Sequence, residues 1–208
     1  MYTLYGTLQT GTCAVQAALS EAGAEFEQVE ISTRKGQHLT EEYRRINPRQ
    51  QVPALRLPDG SVMTEGTAML LHIADAFPAA RLAPAPGTPA RAQHDRWLIF
   101  FAVNVYEGEL RKLFGDRYTA DPAGAAAVQK AADEYVDRQY RIFEEALTRQ
   151  PFILGEQFTV LDIYVWMLSQ WMQDGWLAAH CPKIDALAKR VRNRPIIAPI
   201  HAANFGWQ

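Results

Sequence analysis

The chain has 208 residues, of which 48% are hydrophobic and 21% charged, with a formal net charge of −2. This is the composition of a soluble globular protein of one large or two small domains, long enough to bury a sizeable core. The near-neutral balance and the absence of a basic run remove the electrostatic case for nucleic acid or an anionic membrane as a partner. The two cysteines, Cys13 and Cys181, are too few for a disulfide framework and fit a reducing cytosol.

Residues 2–6 alternate and are β-rich, which predicts a first strand at once; no basic n-region or apolar h-region precedes it, so no signal peptide is expected. No apolar run is long enough to span a bilayer. A loop of Gly, Thr and Gln over 6–12 leads into a predicted helix over 13–22, stopped by Gly23. Residues 26–31 alternate as a second strand, and strand–helix–strand implies a right-handed crossover with a parallel pair. A polar loop over 32–38 precedes a short helix over 39–46, closed by Asn47-Pro48. The apolar run 52–57 is a third strand, and Pro58-Asp59-Gly60 turns it into a fourth over 61–64. A helix over 65–77 follows, with apolar sides at Ala68, Leu71, His72 and Ala74/Asp75. The order βαβ-α-ββ-α is an α/β, thioredoxin-like arrangement.

From Pro78 to Pro89 the composition changes, with four prolines in twelve residues. Such a stretch forms neither a continuous helix nor a central strand, and it is read as a linker over 79–89 between domains at 1–78 and 90–208. Beyond it the pattern is helical, which predicts an all-α bundle with long helices over 90–114, 123–147 and 158–172, then shorter ones over 183–193 and 196–204. Thr159-Val160-Leu161-Asp162 has the spacing of a capping box, with Thr159 as N-cap and Asp162 reaching back.

The stretch Gln51-Val52-Pro53 carries the first functional signal. A proline at a strand's first residues leaves Val52 with backbone N–H and C=O free to face outward. Such an edge suits an extended peptide bound by strand addition. Glu65 and Gly66 fall at a helix N-terminus, where free N–H groups and a partial positive charge favour a carboxylate. A peptide slot beside an anion slot, with an acid for a cation, suits a small zwitterionic peptide.

The segment NPRQQVPALRLPDGSVMTEGTAMLLHIAD resembles the glutathione-binding half of the glutathione S-transferases, and LGEQFTVLDIYVWM resembles the capping-box segment of their helical domain. The resemblance implies a cis Val52-Pro53 bond, pairing of the Val52 backbone with the cysteinyl unit of glutathione, and a grip on its γ-glutamyl end by Glu65 and the next residue. That residue is serine in most of the family and Gly66 here, which keeps the N–H and loses the hydroxyl; Thr67 is a candidate replacement. Lys35-Gly36-Gln37-His38-Leu39 is similar to the stretch whose histidine, here His38, meets the glycyl carboxylate. Gln51 is a second candidate contact at that end.

Glutathione chemistry needs a thiolate, and a free thiol with a pKa of ~8.5 is mostly protonated at neutral pH. A hydrogen bond to the charged form and a helix N-terminus both lower that value. The donor is therefore sought in residues 7–13. Anchoring the resemblance on Leu4-Tyr5 and Cys13 puts Thr10 at the family's serine position; anchoring on Gly23 puts Gln9 there. Thr12 is the second candidate, and the alternative is that these threonines only cap the helix. Cys13 is the rival, since some members form a mixed disulfide with glutathione through a nearby cysteine, although the matching position counted back from Gly23 is Gly11. Tyr5 fits the strand core better than the site.

The second substrate is expected against the helical domain. Phe101, Asn104, Arg111 and Trp166 are the leading candidates, with Trp97, Tyr106, Tyr118 and Arg117 behind them; aromatics at helical spacing are more often core. The histidines show no metal-ligand spacing, and no phosphate-binding or serine-hydrolase motif occurs. The resemblance thus implies a cytoplasmic, homodimeric glutathione transferase acting in detoxification on a small, hydrophobic electrophile, without a metal. Two alternatives stay open: a glutathione-dependent disulfide or peroxide reductase using Cys13, and a binder of glutathione without turnover.

Overall fold

Four strands, β1 (Tyr2–Gly6), β2 (Phe26–Glu30), β3 (Ala54–Arg56) and β4 (Val62–Met63), form a mixed sheet in the order β2-β1-β3-β4. The computed structural model describes residues 1–148 and 150–206. β1 pairs in parallel with β2 and antiparallel with β3, and β3 with β4 forms the expected antiparallel hairpin. β1 is buried along its whole length, as a central strand should be.

α1 (Thr12–Glu21) buries Cys13, Ala14, Val15, Ala17, Ala18 and Leu19, so it is enclosed on nearly every side. Its alanines let the sheet approach from one direction and the helical domain from the other. α3 (Gly66–Ala76) shares that layer and buries Met69, Leu70, Ile73 and Ala74, a face that includes the expected Ala74 and leaves Ala68 and Leu71 less covered. α2 (Glu41–Ile46) lies on the opposite face of the sheet, where Tyr43 packs with Tyr5 and Ala54. It is capped by Thr40, whose hydroxyl accepts from the Tyr43 N–H, and begins at Glu41, two residues beyond the expected start.

The proline-rich stretch is a docked strap. Leu82 is buried, its carbonyl accepts from the Val160 N–H at 2.8 Å, and Gln157 Nε2 donates to the carbonyls of Arg81 and Ala83. Past it, one helical rod runs from Pro89 to Leu113: α4 (Pro89–Phe100), a π-helical segment (Phe101–Tyr106) and α5 (Glu107–Leu113). α6 (Ala125–Ala146) packs along it, with Val136 against Gly108, where a side chain would not fit. α7 (Val160–Ser169) is buried throughout, and α8 (Trp176–His180), α9 (Pro182–Arg192) and α10 (Ile197–Phe205) complete the bundle. α8 lies in a stretch where no helix was expected.

Two arginine ion pairs are among the contacts that join the halves. Arg91 on α4 makes a bidentate pair with Asp75 on α3 at 2.8 and 3.0 Å, and Arg194 pairs with Glu21 on α1 at 2.7 and 2.8 Å. The capping box of α7 is present: the Thr159 N–H and hydroxyl donate to Asp162 Oδ2, and the Ile153 N–H donates to Oδ1. Burial pushes the Asp162 carboxyl up to about 6 against those three hydrogen bonds.

Candidate functional site

The Val52–Pro53 peptide bond is cis. Just before it, the Gln51 carbonyl accepts from the Tyr43 hydroxyl at 2.7 Å and from Asn47 Nδ2 at 2.8 Å. These two bonds, anchored on α2 and the turn after it, hold the chain as it enters the proline. Among the described residues no hydrogen bond engages the Val52 N–H or C=O, so the backbone there can pair with a ligand.

The loop from β1 to α1 lies beside it. The Thr10 hydroxyl is within 2.7 Å of the Thr7 carbonyl and 2.8 Å of Thr12 Oγ1, and its oxygen accepts from the Thr12 N–H at 3.3 Å. Thr12 Oγ1 also accepts from the Thr7 N–H and is buried. The two threonines are thus tied into the turn that starts α1. Cys13 is 1% exposed, and burial drives its thiol pKa far up, the opposite of an activated thiolate.

A third element enters from the helical domain. A Cβ placed on Gly11 would stand 2.9 Å from the Tyr106 hydroxyl and 3.5 Å from Pro53 Cδ. The α1 start, the cis-proline and the Tyr106 hydroxyl therefore converge on one point. The Tyr106 ring is stacked with Tyr164 at 6.4 Å and edge-on to Trp171 at 5.3 Å. Burial pushes its phenol up to about 12, so it keeps its proton at neutral pH and can donate it in a hydrogen bond.

At the other end of the slot Glu65 precedes α3 with φ 66° and ψ 101°. An acid held at positive φ is a strained residue, of order 1–3 kcal/mol, of the kind kept at binding sites. Its carboxylate is exposed and ion-paired with Arg49. Gly66 opens α3, and a Cβ added to it would meet nothing within 4 Å. Thr67 follows on the first turn of α3, partly exposed. His38 lies in a single 3₁₀ turn after Gly36, with its Nδ1 buried and unpartnered among the described residues. Gln51, next to Val52 in the chain, is exposed.

The expected wall for a second substrate divides in two. Phe101 and Trp166 are fully buried in the helical core, and Trp97 packs against Phe143, so these three present almost no surface. Asn104 is turned to α6: it accepts from the Tyr135 hydroxyl and donates to the Phe100 carbonyl at 3.0 Å. The π-helical turn explains this, because its wider spacing shifts the phase of every residue after it. Arg111 stays partly exposed, 3.8 Å from Glu107 and over the Tyr118 ring, which itself is within 3.4 Å of Glu107. Arg117 stacks on Phe114.

Neither Arg49 nor Asn204 is among the residues expected at the site. Arg49 lies in an ordinary polar loop. Asn204 is a lone polar residue on a buried helix face, which is a usable signal, and its carbonyl accepts from the Gln9 N–H at 2.9 Å. Among the described residues no group of three or more His, Cys, Asp or Glu is placed to hold a metal. No described helix is long and apolar enough to cross a membrane.

Comparison with known proteins gives a consistent picture. Residues 1–75 match the family described as glutathione S-transferase, N-terminal domain, and residues 110–200 the one described as glutathione S-transferase, C-terminal domain. Glutathione S-transferase GstA of Escherichia coli O157:H7 is 27% identical, over 89% of this chain and 90% of its own. The disulfide-bond oxidoreductase YfcG of Escherichia coli K12 is 26% identical, over 85% and 83%. A glutathione transferase homologue from Sulfitobacter, solved with bound glutathione, superposes with a TM-score of 0.89 at 29% identity over 98% of both chains.

Proposed function

The chain belongs to the glutathione S-transferase family, and from that premise we propose that it is a glutathione transferase acting on a small, hydrophobic electrophile. The observation that carries this reading is the convergence of Pro53, the α1 start and the Tyr106 hydroxyl on one point, next in the chain to the unpaired Val52 backbone. Glutathione lies extended along Val52 and Pro53. Glu65, Gly66 and Thr67 receive its γ-glutamyl end; His38 and Gln51 receive its glycyl end.

In this reading the bound thiol gives its proton to water, and the thiolate is held by hydrogen bonds and the partial positive charge of α1. Its electron pair forms a bond to the electrophilic carbon, and the carbon–leaving-group bond breaks with its electron pair going to the leaving group. Thr10 supplies the hydrogen bond if its hydroxyl turns from the Thr7 carbonyl. Tyr106, whose hydroxyl has no hydrogen-bond partner among the described residues, is the second donor. The electrophile lodges by Arg111 and Tyr118, at the exposed end of the long rod. The burial of Cys13 counts against a reductase built on that thiol, while the likeness to YfcG keeps disulfide reduction by glutathione itself as the second reading. A homodimer in a reducing, cytoplasmic setting completes the proposal, supported by the outward apolar pair Ile99 and Val103 on the rod.

The test is conjugation of glutathione to an aryl halide by wild type, Thr10→Val, Tyr106→Phe and Cys13→Ala. Loss with Thr10→Val or Tyr106→Phe, and retention with Cys13→Ala, is the expected result. Loss with Cys13→Ala alone moves the function to redox chemistry, and glutathione retention without turnover in wild type makes the protein a binder.

A further inference from the structure

The β1–α1 loop is held from the far end of the chain. The Gln9 N–H donates to Asn204 Oδ1 at 2.9 Å across 195 positions. Gln9 has φ 61°, a conformation that a residue other than glycine adopts at some cost, and it immediately precedes Thr10. Asn204 is 1% exposed, and its Nδ2 donates to the Ile200 carbonyl at 2.9 Å. That second bond fixes which way the amide faces: with its nitrogen committed to α10, only its oxygen can meet Gln9. Among the described residues Gln9 makes one other distant hydrogen bond, accepted by its Oε1 from Arg34 Nη2, and that one is exposed. Asn204 is therefore the buried tie on the turn that presents Thr10 and the start of α1.

We propose that Asn204 is a positioning residue for thiol activation, holding the Gln9 turn so that Thr10, Gly11 and the α1 N-terminus face the sulfur. The inference rests on the glutathione transferase reading, and it adds a residue of the last helix that touches neither substrate. Without the tie, Gln9 loses the bond that compensates its conformation, and the turn relaxes. The hydrogen bonds and dipole aimed at the thiolate then spread over several arrangements, and preorganised donors lose most of their effect when their geometry loosens.

The experiment compares wild type with Asn204→Leu, Asn204→Ala, Asn204→Asp and Ile197→Ala. Asn204→Ala serves should the larger residue prevent folding. Asn204→Asp keeps an acceptor for Gln9, and Ile197→Ala loosens α10 without touching the loop. Two quantities are read: exchange of the Gln9 amide in ligand-free protein, and the pKa of bound glutathione from its thiolate absorbance. In Asn204→Leu or Asn204→Ala, Gln9 exchange rises about ten-fold and the thiol pKa rises by about one unit, as loss of one hydrogen bond to a preorganised site implies. Asn204→Asp retains Gln9 protection, and Ile197→Ala leaves both quantities at their wild-type values. Unchanged exchange in Asn204→Leu and Asn204→Ala overturns the tie. Faster exchange with an unchanged thiol pKa, or equal shifts in Ile197→Ala, overturns the positioning role. A wild-type protein that leaves the glutathione thiol pKa at its solution value overturns the functional reading and this role with it, while the exchange data still report the tie.

Discussion

The Tyr106 hydroxyl lies 2.9 Å from the point where a side chain on Gly11 would begin. Gly11 is in the right-handed helical region, so its backbone would accept alanine; only the tyrosine stands in the way. The Tyr106 ring is held against Tyr164 and Trp171 and cannot swing freely. Gly11→Ala is expected to destabilise the protein by about 1 kcal/mol, in the range for overpacking a filled site. In a Tyr106→Phe background the same change should be nearly neutral. Denaturant melts of the four proteins measure the coupling, and additive effects would disprove the contact.

Tyr106→Phe alone should raise the pKa of bound glutathione by about one unit and lower kcat/KM about ten-fold at neutral pH. The pH profile should move to the alkaline side, with KM for glutathione little changed. A profile at its wild-type position would leave Thr10 as the sole hydroxyl near the sulfur.

Gly66→Ser should strengthen glutathione binding. The added Cβ enters open space, and glycine is less favourable than serine within a helix. A new hydroxyl donor to the γ-glutamyl carboxylate is worth roughly 1 kcal/mol, or about a five-fold lower Kd by titration calorimetry. A weaker Kd would mean that the ligand lies elsewhere along α3.

Glu109 makes stability depend on pH. It is fully buried on α5, with neither carboxylate oxygen partnered among the described residues. Burial pushes its carboxyl up from 4.5 to about 7; Lys112 opposes the shift, and Asp133 and Asp137 on α6 add to it. Between those values the folded protein holds a proton that the unfolded chain has released, so stability falls as pH rises. The stabilising difference is complete below 4.5 and lost by pH values above 7, on the order of 3 kcal/mol. Glu109→Gln should flatten that dependence and melt higher than wild type at pH values above 7. Melts across the range that stay parallel for the two proteins would refute it.

Arg91→Ala should destabilise by about 2 kcal/mol, because it leaves Asp75 and Asp95 facing each other without their shared cation. Arg91→Lys should recover only part, since a lysine cannot reproduce the bidentate fork. Equal melting of the lysine and wild-type proteins would show that charge alone matters there.

What the sequence disclosed was local. The prolines of the strap, the Thr159–Asp162 box, the alternation of β1 and the turn at Pro58-Asp59-Gly60 each act within a few residues, and the structure has each of them. The expected grouping of Val52, Glu65 and His38 rested on motif spacing. What stayed hidden depends on phase or distance. The face of α3 was displaced because alanine and leucine occur on both of its sides. Asn104 lies in the π-helical segment and is held by Tyr135 on α6, a pairing that helical spacing in the sequence does not announce. Arg49 meeting Glu65, and Asn204 meeting Gln9, join residues that no local pattern links.

α1 is apolar toward the sheet and apolar toward α7 and α10 at the same time. A glutathione-binding half taken from one relative cannot simply be grafted onto the helical half of another. The graft would have to carry a matched α1 surface, the strap that meets Val160, and both arginine clasps. Recombination within this chain should therefore succeed at exposed turns such as Asp59-Gly60, and fail at the proline boundary that looks in the sequence like the natural place to cut.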